Sequence, residues 1–153
     1  MVPAGEARAL HAMVRADLGP KRGGAVLRAA GVGTGRYLLA HRIPRAAQIL
    51  FRALPTPLSS RLLIAAIRRN AWTFGVPAGL GVHRRNGLCL TIAANPLSLP
   101  EAAAAPRCDF YAATFETLFQ HLVAPTLTVI ETACRAQGEP ACCFRVEQAR
   151  PLP

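Results

Sequence analysis

The feature that most constrains this sequence is a set of four metal-binding residue types in its last third: Cys108, Glu131, Cys134 and Cys142. Three thiolates and one carboxylate can form a tetrahedral zinc site. If the chain turns around Gly138, Cys134 and Cys142 stand opposite each other on adjacent strands, at a separation that two ligands of one ion can share. Glu131 precedes Cys134 by three residues, an interval that requires a β-bulge or an irregular turn between them.

Other interpretations of these cysteines stay open. Buried free thiols are often inert. An iron–sulfur cluster could use Cys143 in place of Glu131, although strand alternation points Cys143 away from Cys142. If zinc is bound, four protein ligands leave no position for water, which predicts a structural clamp between a helix start and a hairpin. Basic residues near enough in sequence to offset the negative charge of such a site are Arg107, Arg135 and Arg145.

Composition and charge predict one domain with a basic half. A chain of 153 residues with 52% hydrophobic content is long enough for one core and too short for two. The formal net charge of +10 is uneven, because residues 1–85 hold 14 Lys or Arg against 2 acids and residues 86–153 hold 4 against 6. The basic half is expected to contact an acidic membrane, a carboxylate-bearing ligand or an acidic protein. Nucleic acid is not expected, because no motif that reads it is present.

The sequence predicts a cytoplasmic protein with at most peripheral contact with the cytoplasmic membrane. The amino terminus carries Glu6 and Arg8 and lacks an apolar core of signal-peptide length, so export is not expected. No apolar stretch reaches about 18 residues, which argues against a membrane span. In such a chain, five cysteines favour thiols or metal ligands over a disulfide framework.

Helical patterning covers about the first 75 residues. Residues 44–54 form one amphipathic segment, and a second begins at Thr56 with Pro57 in its first turn. Both helices are expected to pack their apolar faces inward and to show arginine outward, with membrane binding as the alternative. In the second helix, the residues expected on the inward face are Leu58, Leu62, Leu63, Ala66 and Ile67.

A glycine-rich run precedes these helices, with the sequence Gly31-Val-Gly33-Thr-Gly35. The dinucleotide-binding fingerprint needs a third glycine where Arg36 stands, and it needs a strand before the first glycine. The residues upstream fit a helix better. These glycines are therefore expected to end a helix and start a turn.

The second half of the chain predicts a mixture of strands and one helix. Residues 82–92 favour a β-hairpin, because two β-prone runs flank Asn86-Gly87. A helix is expected from Asp109 to about Val123, since Cys108 then lies just ahead of its amino end and an apolar stripe follows. The members of that stripe are Tyr111, Phe115, Leu118 and Leu122. Strands are expected on both sides of the turn at Gly138.

The motif around the donor set resembles a known family. It has the form Glu-x-x-Cys-x-Ala-x-Gly-x-x-x-Cys-x-Phe, with a further cysteine 23 residues before the glutamate, and it is similar to the 4-vinyl reductase domain. The resemblance covers about residues 20–147. It also takes in the runs Ala40-His-Arg-Ile-Pro44, Ala71-Trp-Thr-Phe74 and Tyr111-Ala-Ala-Thr-Phe115.

The resemblance implies an α/β (α+β) fold in which helices pack on an antiparallel sheet, related to the TRAPP subunits of vesicle tethering. Residues 1–20 would form an amino-terminal helical extension, residues 21–147 the 4-vinyl reductase domain, and residues 148–153 a carboxyl-terminal tail. In phenol-sensing activators that carry this domain, the equivalents of the four donors bind zinc and the domain holds an aromatic effector. The resemblance therefore implies a structural zinc ion held by Cys108, Glu131, Cys134 and Cys142.

The family name implies reduction of a vinyl group in bacteriochlorophyll biosynthesis, which needs two electrons and two protons. The sequence shows no recognisable nicotinamide, flavin or iron–sulfur site. We therefore expect a non-catalytic role, in which the chain binds or delivers a tetrapyrrole such as divinyl protochlorophyllide or a magnesium porphyrin to an enzyme of chlorophyll biosynthesis. A sensor of small aromatic molecules and a TRAPP-like assembly module, dimeric through its amino-terminal helices, are the alternatives.

A tetrapyrrole pocket should be apolar with an arginine at its rim. The candidate walls are Trp72, Phe74, Phe110 and Tyr111. The candidate ligands of a central magnesium are His41, His83 and His121, although each is also typical of an ordinary partly buried or surface histidine.

Overall fold

The computed structural model describes residues 4–70, 80–83, 87–93, 95–97 and 107–149. In chain order its elements are α1 (Ala4–His41), α2 (Arg45–Ala53), α3 (Thr56–Arg69), β1 (Gly81–His83), β2 (Leu88–Ile92), α4 (Asp109–Leu122), β3 (Leu127–Ala133) and β4 (Cys142–Gln148). The four strands form one antiparallel sheet in the order β1-β2-β4-β3. The expected fold class, helices packed on an antiparallel sheet, is confirmed.

Helix α4 covers the inner face of the sheet, and the predicted bounds and stripe of this helix are confirmed. The four stripe residues are almost completely buried. Phe115 meets Phe144 of β4 edge to face, with ring centroids 5.5 Å apart. Along β4 burial alternates, so Cys142, Phe144 and Val146 face the helix whereas Cys143 faces the other side. The core therefore lies between one helix and one sheet face.

Side chains of α4 also protect the free edge of the sheet at β3. The Val129 amide donates to the Glu116 carboxylate at 3.0 Å, and the Gln120 side chain donates to the Leu127 carbonyl at 3.0 Å. These contacts occupy backbone groups that would otherwise be available to another strand.

Helix α1 corrects the expectation that the glycines at 31–35 end a helix. The helix continues through them to His41, because Gly31 and Gly35 face α4 at a distance that excludes larger side chains. A Cβ added at Gly31 would clash with the Phe110 carbonyl oxygen, and one at Gly35 would lie 2.7 Å from the Thr117 Cβ. The glycines thus allow close helix packing, with the Thr114 hydroxyl donating to the Gly31 carbonyl at 3.1 Å. The domain boundary expected at residue 20 stays a prediction.

Helices α2 and α3 cover the carboxyl end of α4. Arg52 donates to the His121 carbonyl at 3.0 Å and Ser59 donates to the Leu122 carbonyl at 3.2 Å, which satisfies carbonyls in the last turn of α4. The expected inward face of α3 is partly wrong. Leu63 and Ile67 are buried, but Leu58 and Leu62 are exposed. The face that α4 covers is rotated relative to the stripe that the sequence favoured, and Ser59 and Ile64 are buried in their place.

The β1–β2 hairpin is confirmed, with Val82 opposite Leu90 and His83 opposite Cys89. Residues 84–86, which include most of the expected turn, lie outside the described residues. Among the residues that the structure describes, no helix combines the length and the apolar composition that crossing a bilayer requires.

The preference for five thiols or metal ligands needs one correction. Cys89 of β2 and Cys143 of β4 are joined as a disulfide, with their Cα atoms 6.2 Å apart. The strand register pairs Cys89 with Arg145 and Thr91 with Cys143, so the two cysteines are diagonal neighbours on the outer sheet face. The other three cysteines are free and buried.

Candidate metal centre

Three elements deliver the four donor side chains to one place. Cys108 is the residue before α4 and Cys142 begins β4. Glu131 lies in β3 and Cys134 follows the end of that strand. The strand register shifts between Glu131 and Ala133, so the irregularity required between these two donors is present. After Cys134 a short 3-10 turn (Arg135–Gln137) ends at Gly138, whose φ of 88° is in the left-handed region.

The donor atoms are spaced as ligands of a single ion. One atom from each of the four residues lies within 4.8 Å of all the others. The Cys108 sulfur is 3.8 Å from that of Cys134 and 3.5 Å from that of Cys142. Zinc–sulfur bonds of about 2.3 Å in a tetrahedron place two sulfurs about 3.8 Å apart. The cluster can therefore hold a tetrahedral metal ion without rearrangement of these sulfurs.

The Glu131 carboxylate supplies an independent sign of a missing cation. Its Oε2 accepts a hydrogen bond from the Cys108 amide at 2.7 Å. Its Oε1 is buried and has no hydrogen-bond partner among the described residues. A buried carboxylate oxygen without a donor costs free energy unless a cation is bound to it. Oε1 is thus the atom that fits a metal ligand.

Protons and burial determine the charge of the cluster when no cation is present. Burial raises the pKa of Glu131 to about 8. Contacts with the sulfurs of Cys134 and Cys142 raise the pKa of Cys108. The contact with Cys108 lowers the pKa of Cys134 to about 6, as do backbone hydrogen bonds from Arg107 and Ala136. Without a cation the site keeps protons on part of its donors, and a bound dication would displace them.

Cys142 has the same kind of support, and part of it comes from a residue that sequence reasoning missed. Its contact with Cys108 lowers its pKa to about 6, as do hydrogen bonds from the Arg135 backbone and the Asn95 side chain. The Asn95 amide nitrogen lies 3.0 Å from the Cys108 sulfur and 3.3 Å from the Cys142 sulfur. Asn95 is buried, and its oxygen accepts from the Leu97 amide at 2.9 Å. No sequence signal marks this asparagine, because it comes from a separate loop.

The nearby arginines have more varied roles than the sequence suggested. Arg135 donates to the Ala93 carbonyl at 3.0 Å and Arg145 pairs with Glu147 at 3.1 Å. The nearly buried arginine beside the site is Arg15 of α1, which sequence reasoning missed. It pairs with Asp109 at 2.5 Å and donates to the Arg107 carbonyl at 2.7 Å. Arg15 therefore ties α1 to the chain on both sides of Cys108.

Comparison with known proteins identifies the family. A model of the 4-vinyl reductase domain matches residues 90–148, a segment that contains all four donors. The chain is 43% identical over 146 residues to the "Bacteriochlorophyll synthase 23 kDa chain" of Cereibacter sphaeroides, covering 95% of this chain and 70% of that protein. It is 41% identical over 144 residues to the protein of the same name from Rhodobacter capsulatus, covering 94% and 67%. The chain belongs to this 4-vinyl reductase domain family. The expected resemblance, and within the family the likeness to the bacteriochlorophyll biosynthesis J protein, is confirmed.

Within the 4-vinyl reductase domain, the alternation of β4 separates its two adjacent cysteines. Cys142 is completely buried and faces α4, whereas Cys143 faces the opposite side of the sheet and is bonded to Cys89. The structure therefore does not bring Cys143 to the donor set, as an iron–sulfur cluster built on it would require.

The candidate pocket residues are dispersed in this member of the family. Tyr111 is buried in the core and Phe110 packs edge to face on His11 of α1, with centroids 5.4 Å apart. His41 lies at the end of α1 beside Tyr37, and His121 lies at the end of α4 beside Arg52. Trp72 and Phe74 fall outside the described residues, and His83 is described only as a backbone position in β1.

Proposed function

We propose that the protein binds a tetrapyrrole intermediate of bacteriochlorophyll biosynthesis and delivers it to an enzyme of that pathway without reducing it. The observation that carries the proposal is the identity of 41–43%, over nearly the whole chain, with two proteins named bacteriochlorophyll synthase 23 kDa chain. The donor cluster supports a non-catalytic role. All four ligands come from the protein and three of them are buried, as in structural sites.

We propose zinc as the ion, because three thiolates and one carboxylate in a tetrahedral arrangement are the donor types that zinc prefers. Bound zinc would supply charge neutralisation and a crosslink among α4, β3 and β4. Cys108, Cys134 and Cys142 would bind it through sulfur and Glu131 through Oε1. The ligands would leave no position for a reacting molecule.

A groove beside the site has the volume that a tetrapyrrole requires. It measures about 880 Å³ and lies between α1, α4 and the β3 edge of the sheet. Ala112 and Ile130 supply apolar surface, and Arg28 and Arg145 are positioned to meet a ligand carboxylate. Arg28 now pairs with Glu116, so a bound carboxylate would compete with that pair.

Pigment titration tests the proposal. Divinyl protochlorophyllide or a magnesium porphyrin is added to the purified protein, and the absorption spectrum is recorded with and without NADPH. A carrier shifts the pigment bands and leaves the vinyl group intact in both arms. Loss of the vinyl group with the isolated protein would show a reductase. An unchanged spectrum would disfavour tetrapyrrole binding and favour the sensor or assembly alternatives.

Two exposed isoleucines provide a matched pair for locating the pigment. Ile130 lines the groove, whereas Ile49 lies on α2, away from it. Ile130→Gln is expected to weaken pigment binding by about tenfold, which corresponds to the lost apolar contact of one side chain. Ile49→Gln should leave it unchanged. Equal effects of the two substitutions would exclude the groove.

We further propose that the protein acts in the cytoplasm as a homodimer formed through α1. Leu10, Met13 and Leu18 are exposed on the amino-terminal half of this helix. Light scattering after gel filtration measures the mass directly. A monomer at micromolar concentration would refute the dimer while leaving pigment binding untouched.

A further inference from the structure

Helices α2 and α3 present large aliphatic side chains to solvent on their outer sides. Ile49 is 69% exposed and Leu50 52% on α2, and Leu58 is 49% exposed and Leu62 38% on α3. Each helix buries different residues, such as Phe51 and Leu63, against the body of the protein. We call the four exposed residues the α2–α3 face. Exposed aliphatic side chains gathered on consecutive helices are typical of an interaction surface.

Exposed arginines accompany these aliphatic residues without any acidic counterpart. Arg45 on α2 and Arg61, Arg68 and Arg69 on α3 are all exposed. Between Asp17 and Glu101 the sequence contains no aspartate or glutamate at all. Both helices therefore combine apolar contact area with positive charge only.

The charge pattern selects among occupants of this face. A second copy of the chain would bring arginines against arginines, with no carboxylate on either helix to pair with them. A surface that carries many negative charges over an apolar interior satisfies both features at once, because aliphatic side chains enter the acyl boundary while arginines meet headgroup phosphates.

We propose that the α2–α3 face docks on an anionic lipid bilayer surface. Ile49, Leu50, Leu58 and Leu62 insert at the interface, and Arg45, Arg61 and Arg68 pair with phosphate groups. The proposal does not depend on pigment binding, because the groove lies on the other side of α4, beside β3.

Vesicle flotation with the intact protein tests this docking. The expected result is flotation with phosphatidylglycerol vesicles, little with phosphatidylcholine vesicles, and weakening as salt is raised. Ile49→Gln with Leu50→Gln should lower partitioning about tenfold by removing apolar insertion. Arg61→Gln with Arg68→Gln should lower it about fivefold for each arginine removed.

Ile130→Gln is the matched control, because Ile130 is also exposed but lies on the sheet. It should float like the unchanged protein. Thermal unfolding of every variant, measured without vesicles, separates lost docking from lost folding.

Three results would overturn the proposal. The first is equal flotation with neutral and anionic vesicles. The second is flotation that neither double variant reduces. The third is a change of oligomeric state in the Ile49/Leu50 variant without vesicles, since it would show that another copy of the chain covers the face.

Discussion

At the scale of single residues, Asn95 contacts two of the four donors with one amide group. Its nitrogen donates towards the sulfurs of Cys108 and Cys142, and a neighbouring backbone amide holds its oxygen in place. Donors to thiolate sulfur orient the ligands and stabilise their negative charge. Asn95 is therefore a positioning residue for the proposed metal, because it acts through the cysteines.

Replacing Asn95 by leucine should lower zinc affinity by about 10–100-fold. The substitution removes the donor and keeps a side chain of similar size. Competition with a chromophoric chelator measures the affinity. Asn70→Leu is the control, because Asn70 is an exposed asparagine at the end of α3 and should bind the metal normally when replaced. Equal affinities for the two variants would refute the role of Asn95.

At the scale of elements, the close packing of α1 on α4 depends on glycines of one helix face. Gly31 lies against the Phe110 carbonyl, but Gly33, two residues later, has nothing near its Cβ position. Both have the negative φ of a helix. The same substitution should therefore have opposite effects at the two positions.

Gly31→Ala should lower the free energy of unfolding by roughly 2–3 kcal/mol, because the methyl group forces the two helices apart. Gly33→Ala should raise it by about 0.5–1 kcal/mol, because alanine restricts the unfolded chain and favours the helix. Urea denaturation of the two variants checks both signs. If both variants are stabilised, α1 ends or bends at the glycine run as the sequence suggested.

The pairing of β2 with β4 is the second element-scale test. A disulfide between Cys89 and Cys143 closes a loop across 54 residues of sequence separation, which should stabilise the oxidised protein by about 3–4 kcal/mol relative to the reduced one. Denaturation of the metal-loaded protein with and without dithiothreitol measures the difference. Cys89→Ser should abolish the response to reductant. A wild-type protein that also fails to respond would show that the two thiols do not pair.

Elements whose causes are local were predictable from the sequence, whereas contacts set by distant partners were not. Helix α4 and the donor motif follow from a periodic stripe and a short spacing. The continuation of α1 through Gly31 depends on α4, and the exposure of Leu58 and Leu62 depends on which face of α3 the rest of the chain covers. The Cys89–Cys143 pair depends on a register between strands far apart in sequence.

At the scale of the whole molecule, the proposed zinc ion connects parts that would otherwise be joined only by packing. Cys108 precedes α4, Cys142 begins β4, and α1 reaches the same place through Arg15 and Asp109. Removal of the ion would leave a buried carboxylate oxygen without a partner and three sulfurs close together. Metal loss should therefore destabilise the whole domain and not only one loop.

Chelation should lower the free energy of unfolding by about 4 kcal/mol when the free metal had been a thousandfold above its dissociation constant, since an ion that binds only the folded state stabilises it by mass action. Thermal unfolding with and without a strong chelator, together with elemental analysis of the same sample, measures the change and identifies the metal. Cys134→Ser provides the control, because a site without this ligand should unfold at a lower temperature and respond little to chelator. Because α1, α4 and the sheet converge at the cluster, the loss should appear as one cooperative shift in both helical and near-ultraviolet circular dichroism signals. An unchanged midpoint in a sample shown to contain metal would mean that the ion is not part of what holds these elements together.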